Sequence, residues 1–119
     1  MAFPSKNLRF INDDYGNITK FKASIKTLII PSAKQSKGII SIGVKATSIG
    51  TLISLHLNCP HALIRQKSKG YGTNKVMEGW QAQEGSDIIL VSSISNSDLK
   101  KELKKLRHLC INQIIYIED

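Results

Sequence analysis

The chain has 119 residues, 41% of them apolar, enough for one domain with a single core and too few for two. Its formal charge is +8, from 17 Lys and Arg against nine Asp and Glu, which biases partners toward phosphates on a small molecule or on nucleic acid. No apolar run approaches the roughly 20 residues of a membrane helix, and the opening MAFPSKNLRF lacks the apolar segment of a secretory signal, so a cytoplasmic protein without membrane contact is expected.

The first 37 residues carry the weakest pattern. Phe10 to Asn17, with Asp13, Asp14 and Gly16, reads as a turn or loop. Ile18 to Ile30 mixes apolar and basic residues at neither a clean period of two nor of 3.6, and a helix packed on a sheet is the preferred reading. After Gly38 the run Ile39 to Val44 is apolar, β-branched and short, which predicts an interior strand. Thr47 to Leu57 follows with Ile49, Leu52, Ile53 and Leu57 at helical spacing, Thr47 or Ser48 as N-cap, and Asn58 and Pro60 as terminators. Ala62 to Arg65 reads as a second strand.

That strand runs into RQKSKGYGTNKVMEG, Arg65 to Gly79. Arg65, Lys67 and Lys69 alternate, Gly70 and Gly72 loosen the backbone around Tyr71, and only Val76 and Met77 offer apolar anchors. Such a segment predicts a mobile flap that closes over negatively charged oxygens. Glu84 to Asp87 is a turn, and Ile88 to Val91 is a second apolar run of central-strand type. Ser95 to Leu109 sets Leu99, Leu103 and Leu106 on one stripe behind a Ser95 or Ser97 cap, with cations opposite and toward the C-terminal end. Ile114 to Ile117 closes the chain as an apolar strand. Strand and helix alternate, so the expected fold is α/β: a single domain with a mainly parallel β-sheet flanked by helices and right-handed crossovers.

Two cysteines, Cys59 and Cys110, lie half the chain apart and read as small buried hydrophobes. His56, His61 and His108 form no metal-binding pattern, and His61, opening a strand, reads as structural. Lys100, Lys101, Lys104, Lys105 and Arg107 read first as a solvated helix face. Together with the flap they also suit a nucleic-acid backbone, although one tryptophan and three tyrosines are few stacking platforms for single strands. In open α/β sheets ligands bind at the carboxyl ends of the strands, which singles out Lys45 to Ser48, the flap, and Ser92 to Ser97. Two of these lead into helix N-termini, which favour anions.

The order of these segments, and above all the flap with its basic R-x-K-x-K-G, aromatic residue, Gly and final Glu-Gly, resembles orotate phosphoribosyltransferase, a type I phosphoribosyltransferase. The resemblance covers Lys37 to Asp119, about two thirds of the chain, and leaves residues 1–36 as a divergent N-terminal part without a recognisable substrate hood. It implies a homodimer whose flaps reach over the neighbouring active sites, and a reaction of orotate with phosphoribosyl pyrophosphate that uses Mg²⁺ and releases pyrophosphate. By position it makes Lys69 the catalytic loop lysine, Arg65 and Lys67 phosphate contacts, and places Tyr71 where the family has tyrosine or histidine.

The chain departs from that family at its ribose-phosphate motif. Two adjacent acidic residues are expected directly after an apolar strand. Here Ser92 and Ser93 stand there, followed by Ile94, Ser95, Asn96, Ser97 and Asp98. Hydroxyls can hydrogen-bond a ribose or phosphate, but they cannot hold a substrate-borne Mg²⁺ as carboxylates can. Where the family tends toward glycines in its pyrophosphate loop, this chain has Ala46, Thr47 and Ser48, which could meet an anion through hydroxyls and a helix end. The expectation is a degenerate, catalytically impaired relative that binds a nucleotide or other phosphorylated ligand through Arg65, Lys67, Lys69, Tyr71, Thr47, Ser48, Ser92, Ser93, Ser95, Asn96 and Ser97. An active phosphoribosyltransferase using Mg²⁺ and a basic nucleic-acid-binding protein are the alternatives.

Overall fold

The computed structural model describes residues 8–11, 17–65 and 77–117. Lys67, Lys69 and Tyr71 of the flap fall outside these residues, as do Asp13, Asp14 and Gly16.

The two runs read as central strands are the middle of the sheet. β2 (Gly38–Ile42) pairs in parallel with β5 (Asp87–Ser92), with Ile40 opposite Leu90. Ile39, Ile40, Ile42, Ile88, Ile89, Leu90 and Val91 are all fully buried, each worth about 1.5–3 kcal/mol of apolar transfer. A strand buried on both faces needs a cover on each, and the crossover helices supply it. From β2 the chain passes through α2 (Val44–Leu57) to β3 (His61–Ile64) on one side. From β5 it passes through α3 (Asn96–Lys105) to β6 (Cys110–Ile117) on the other. Crossovers of one hand running in opposite directions put their helices on opposite faces. Ala46, Ile49 and Ile53 of α2 accordingly pack with Ile39, Ile89 and Val91, while Leu99 and Leu103 of α3 pack with Ile40, Ile42, Ile88 and Leu90.

The N-terminal part adds to this frame. The helix expected within Ile18 to Ile30 is α1 (Ile18–Leu28), capped by Asn17, whose side chain accepts from Lys20 N, with Phe21 and Ile25 buried on the α2 face. Gln113, fully buried on β6, accepts from Ile30 N at 3.2 Å and donates to the Leu28 carbonyl, so it fixes the end of α1 to the sheet. A 3-10 turn, Pro31–Gln35, leads into β2.

The structure departs from the sequence reading at several places. Leu8–Ile11 is a strand, β1, paired in parallel with β6, where Phe10 was expected to begin a loop. The last strand is longer than expected and holds a register shift against β5 between Ile88 and Ile89. Met77–Gly79 forms β4, which pairs antiparallel with β3 and makes the far end of the flap part of the sheet. The order is β1-β6-β5-β2-β3-β4, a mainly parallel sheet with one antiparallel edge. Helix α2 begins three residues earlier than Thr47, at Val44, and its N-cap is Gly43. Thr47 instead donates to the Gly43 carbonyl at 2.8 Å from inside the first turn. Cys110 is exposed and Cys59 half-buried, so neither is the buried hydrophobe its residue type suggested.

Gly50 lets α2 lie close on β2: a Cβ there would run into Ser41 Oγ and come within 2.9 Å of His61 Nε2. Replacing Gly50 with Ala should cost about 1–3 kcal/mol by overpacking, read by urea unfolding. Because Ser41 carries the nearest atom, the Ser41→Ala/Gly50→Ala double variant should recover part of that loss.

Candidate functional site at the strand carboxyl ends

Strands β2 and β5 are neighbours whose following helices leave in opposite directions, so their carboxyl ends define the switch point where open α/β sheets take ligands. The backbone crosses closely there. Gly43 has φ 107°, a conformation that disfavours a side chain, and a Cβ on it would collide with Ser93 Oγ. Ser93 N donates to the Ile42 carbonyl at 3.0 Å, and Ser93 Oγ accepts from Ala46 N at 3.2 Å. Ser93 therefore caps α2 from the neighbouring loop, in the place where the helix N-terminus would otherwise offer that N–H to an anion.

Ser92 is fully buried at the end of β5, and its hydroxyl accepts from Ile94 N at 3.3 Å. Ser95 caps α3, accepting from Asp98 N at 3.3 Å and lying 3.2 Å from Ser97 Oγ. Asp98 occupies the first turn of that helix, where a carboxylate suits the positive end of the dipole. Asn96 and Ser97 are exposed in the same turn. Tyr116 of β6 donates its hydroxyl to the Ile94 carbonyl, which ties down the loop, and burial pushes the Tyr116 pKa up. The serines thus come together around two helix N-termini, and much of their hydrogen bonding is directed to the fold itself.

Beside Gly43 lies a hollow of about 220 Å³, lined by Gly43, Val44, Thr47, Leu63, Ile64 and Arg65. It is smaller than the ~300–1,000 Å³ typical of sites for drug-sized ligands, which suits a phosphate group better than a whole nucleotide. Arg65 reaches it from the end of β3, and Thr47 from the first turn of α2. Ser48 is exposed one residue further along α2. Larger, at about 270 Å³, is a groove between α1 and α2 lined by Phe21, Lys22, Ile25, Leu52, Leu55 and His56. It lies away from the strand ends and presents few polar groups. A third hollow, about 130 Å³, lies under the edge hairpin between Ile64, Met77, Glu102, Lys105, Leu106 and His108. Glu102 is buried there, with Lys105 Nζ at 4.0 Å.

Among the described residues no three His, Cys, Asp or Glu side chains gather as metal ligands. The two positions at the end of β5 supply hydroxyls, both occupied by backbone N–H groups. This donor set does not fit an Mg²⁺ held by protein carboxylates.

Two features were not legible in the sequence reading. The close passage of Gly43 against Ser93 had one signal, a glycine directly after an apolar strand. The other is a network behind the site, which had no sequence signal. Thr51 donates to the Thr47 carbonyl at 2.8 Å, so its oxygen can accept from His61 Nδ1 at 3.4 Å; His61 Nε2 then accepts from the buried Ser41 hydroxyl at 2.7 Å. The network accommodates an Nδ1-protonated imidazole, and burial pushes the His61 pKa below its ordinary value of 6.5.

These geometries can be set beside known proteins. No family model matches the chain. It is 33% identical over 73 residues to the orotate phosphoribosyltransferase of Methanothermobacter thermautotrophicus, a match covering 61% of this chain and 40% of that protein. Its fold superposes on orotate phosphoribosyltransferase from Aeropyrum pernix with a TM-score of 0.70 at 16% identity, covering 86% of this chain and 60% of the other. Purine phosphoribosyltransferase from Pyrococcus horikoshii gives 0.60 at 14% identity, covering 93% and 76%. The fold of this chain is of the type I phosphoribosyltransferase-like class. Within that class its sequence similarity is to orotate phosphoribosyltransferases, and the chain spans about 40% of the length of the curated relative quoted above.

A group whose folded pKa lies below its unfolded value leaves the unfolded chain binding more protons, so stability falls as pH drops through that window. Denaturant midpoints should therefore decline as pH falls through 6.5, the unfolded-state value. His61→Gln should show a shallower decline over the same range.

Proposed function

We propose that this chain holds a phosphorylated small molecule, such as a nucleotide or pyrophosphate, at the carboxyl ends of β2, β3 and β5 without carrying out phosphoribosyl transfer. The observation that carries the proposal is the pairing of an intact cationic approach with a serine-filled ribose-phosphate motif. Arg65 and Thr47 line the hollow beside Gly43, and the flap begins at Arg65. Ser92 and Ser93, in the positions of the expected carboxylates, spend their hydroxyls on Ile94 N and Ala46 N.

The proposed division of labour follows. Arg65 offers a planar fork suited to phosphate oxygens, and Thr47 a hydroxyl. By their place in the flap, Lys67 and Lys69 bring further charge, and Tyr71 a donor, over the same oxygens. In the family these cations meet charge that develops on departing pyrophosphate. Here the same cations bind. No carboxylate at the end of β5 stands ready to stabilise a cationic ribose, and this separates binding from turnover.

We further propose that two copies pair through α2. Its sequence, VKATSIGTLISLHL, holds one formal charge, Lys45, whereas α1 and α3 carry several exposed lysines. A helix apolar on most sides is ordinarily covered. Val44 is 88% and Leu55 74% exposed, and their spacing of about three turns places them on one side. On a chain of charge +8, a neutral face lets two copies meet without opposing lysines.

Pyrophosphate or uridine monophosphate at about 100 times its Kd should raise the melting temperature by on the order of 10 °C, and Lys69→Ala should reduce that shift sharply. Turnover of orotate and phosphoribosyl pyrophosphate with Mg²⁺ would replace the binding role with an active enzyme, and no shift with any phosphorylated ligand would remove the small-ligand role. In light scattering the chain should run as a dimer and Leu55→Glu as a folded monomer, with a monomeric wild type ending the pairing proposal.

A further inference from the structure

Arg65 faces two partners. It lines the hollow beside Gly43 and Thr47, and its Nε lies 3.0 Å from Glu78 Oε2. The register of the edge hairpin explains why both reach it. Leu63 sits beside Ser41 of β2 and opposite Glu78 of β4. In-register residues share a face, so Glu78 lies on the α2 side of the sheet. Arg65, two residues beyond Leu63, returns to that same side. Glu78 and Arg65 therefore share the α2 side of the sheet, within ion-pair reach of each other.

We propose that Glu78 is a built-in competitor for Arg65: its carboxylate occupies the guanidinium when the hollow is empty, and an incoming phosphate takes Arg65 from it. This rests on the anion-binding reading of the hollow. The side chains of Arg65 and Glu78 are 67% and 42% exposed, and an exposed ion pair is weak enough to yield. A phosphate group carries more charge than a carboxylate and can accept two parallel N–H bonds from the fork. A singly charged anion has less with which to displace Glu78, so the pair makes the site selective for multiply charged groups. Glu78 is thereby a positioning residue, acting on the ligand through Arg65.

Titration calorimetry with inorganic pyrophosphate at 0.15 M salt tests this on the full chain. Glu78→Gln should tighten binding by about two- to five-fold, the range an exposed pair can supply. Arg65→Ala should weaken binding, and in the Arg65→Ala/Glu78→Gln double variant the gain should vanish, which a loss of general negative charge would not produce. Glu84→Gln, a change in the exposed turn before β5, should leave affinity unchanged. If Glu78→Gln binds as the wild type or more weakly while the wild type binds well, the competition is overturned and the anion site stands. The same holds if the gain persists without Arg65. If neither wild type nor Glu78→Gln binds pyrophosphate, the anion site itself fails, and the competition with it.

Discussion

The parallel pairing of β2 with β5 is the constraint from which the rest of the structure follows. Both strands are buried on both faces, so neither can turn back as a hairpin without leaving a face uncovered. Each needs a helical crossover, and the two crossovers leave in opposite directions. That arrangement sends α2 and α3 to opposite faces and leaves a gap at the carboxyl ends where two helix N-termini converge. The site is a consequence of how the core is covered. Its position needs no residue selected for binding.

What fills that gap is the more particular feature of this chain. In an open sheet the converging N–H groups are available to a ligand's oxygens. Here Ser93 reaches across from the end of β5 and takes Ala46 N, while Ser92 turns inward to Ile94 N. A carboxylate pair in these positions would project charge into the gap, whereas the serines satisfy the local backbone. The contact also requires Gly43, since a side chain there would meet Ser93. The likeness to orotate phosphoribosyltransferase structures lies in the fold, and the serines stand where two loops touch.

The antiparallel edge gives the molecule a second kind of control. β4 pairs with β3 over only three positions, yet it sets Glu78 beside Arg65 and caps the open side of the sheet. On the same face, Ser41, His61, Thr51 and Thr47 form a hydrogen-bonded line from the sheet interior to the first turn of α2. The line ends at the Thr47 carbonyl, in the first turn of α2 beside the hollow.

The apolar runs at Ile39 and Ile88, the Leu99-Leu103-Leu106 stripe and the Ser95 cap were legible because each is a local pattern, decided by burial within a few residues. The flap reading rests on charges and glycines adjacent in the chain, and residues 66–76 lie outside the described residues. The strand at Leu8–Ile11 and the edge strand at Met77–Gly79 were not, because four or three residues carry no period and become strands only when β6 and β3 offer them hydrogen-bonding partners. The early start of α2 likewise goes with Ser93, 47 residues beyond Ala46 along the chain, whose hydroxyl accepts from Ala46 N in the first turn. The sequence by itself determined the α/β alternation, the two central strands and the presence of a basic segment after β3. Only the tertiary structure decided that Ser92 and Ser93 serve the backbone, that Glu78 meets Arg65, and that His61 lies between Ser41 and Thr51, since each depends on side chains brought together by strand register and helix packing.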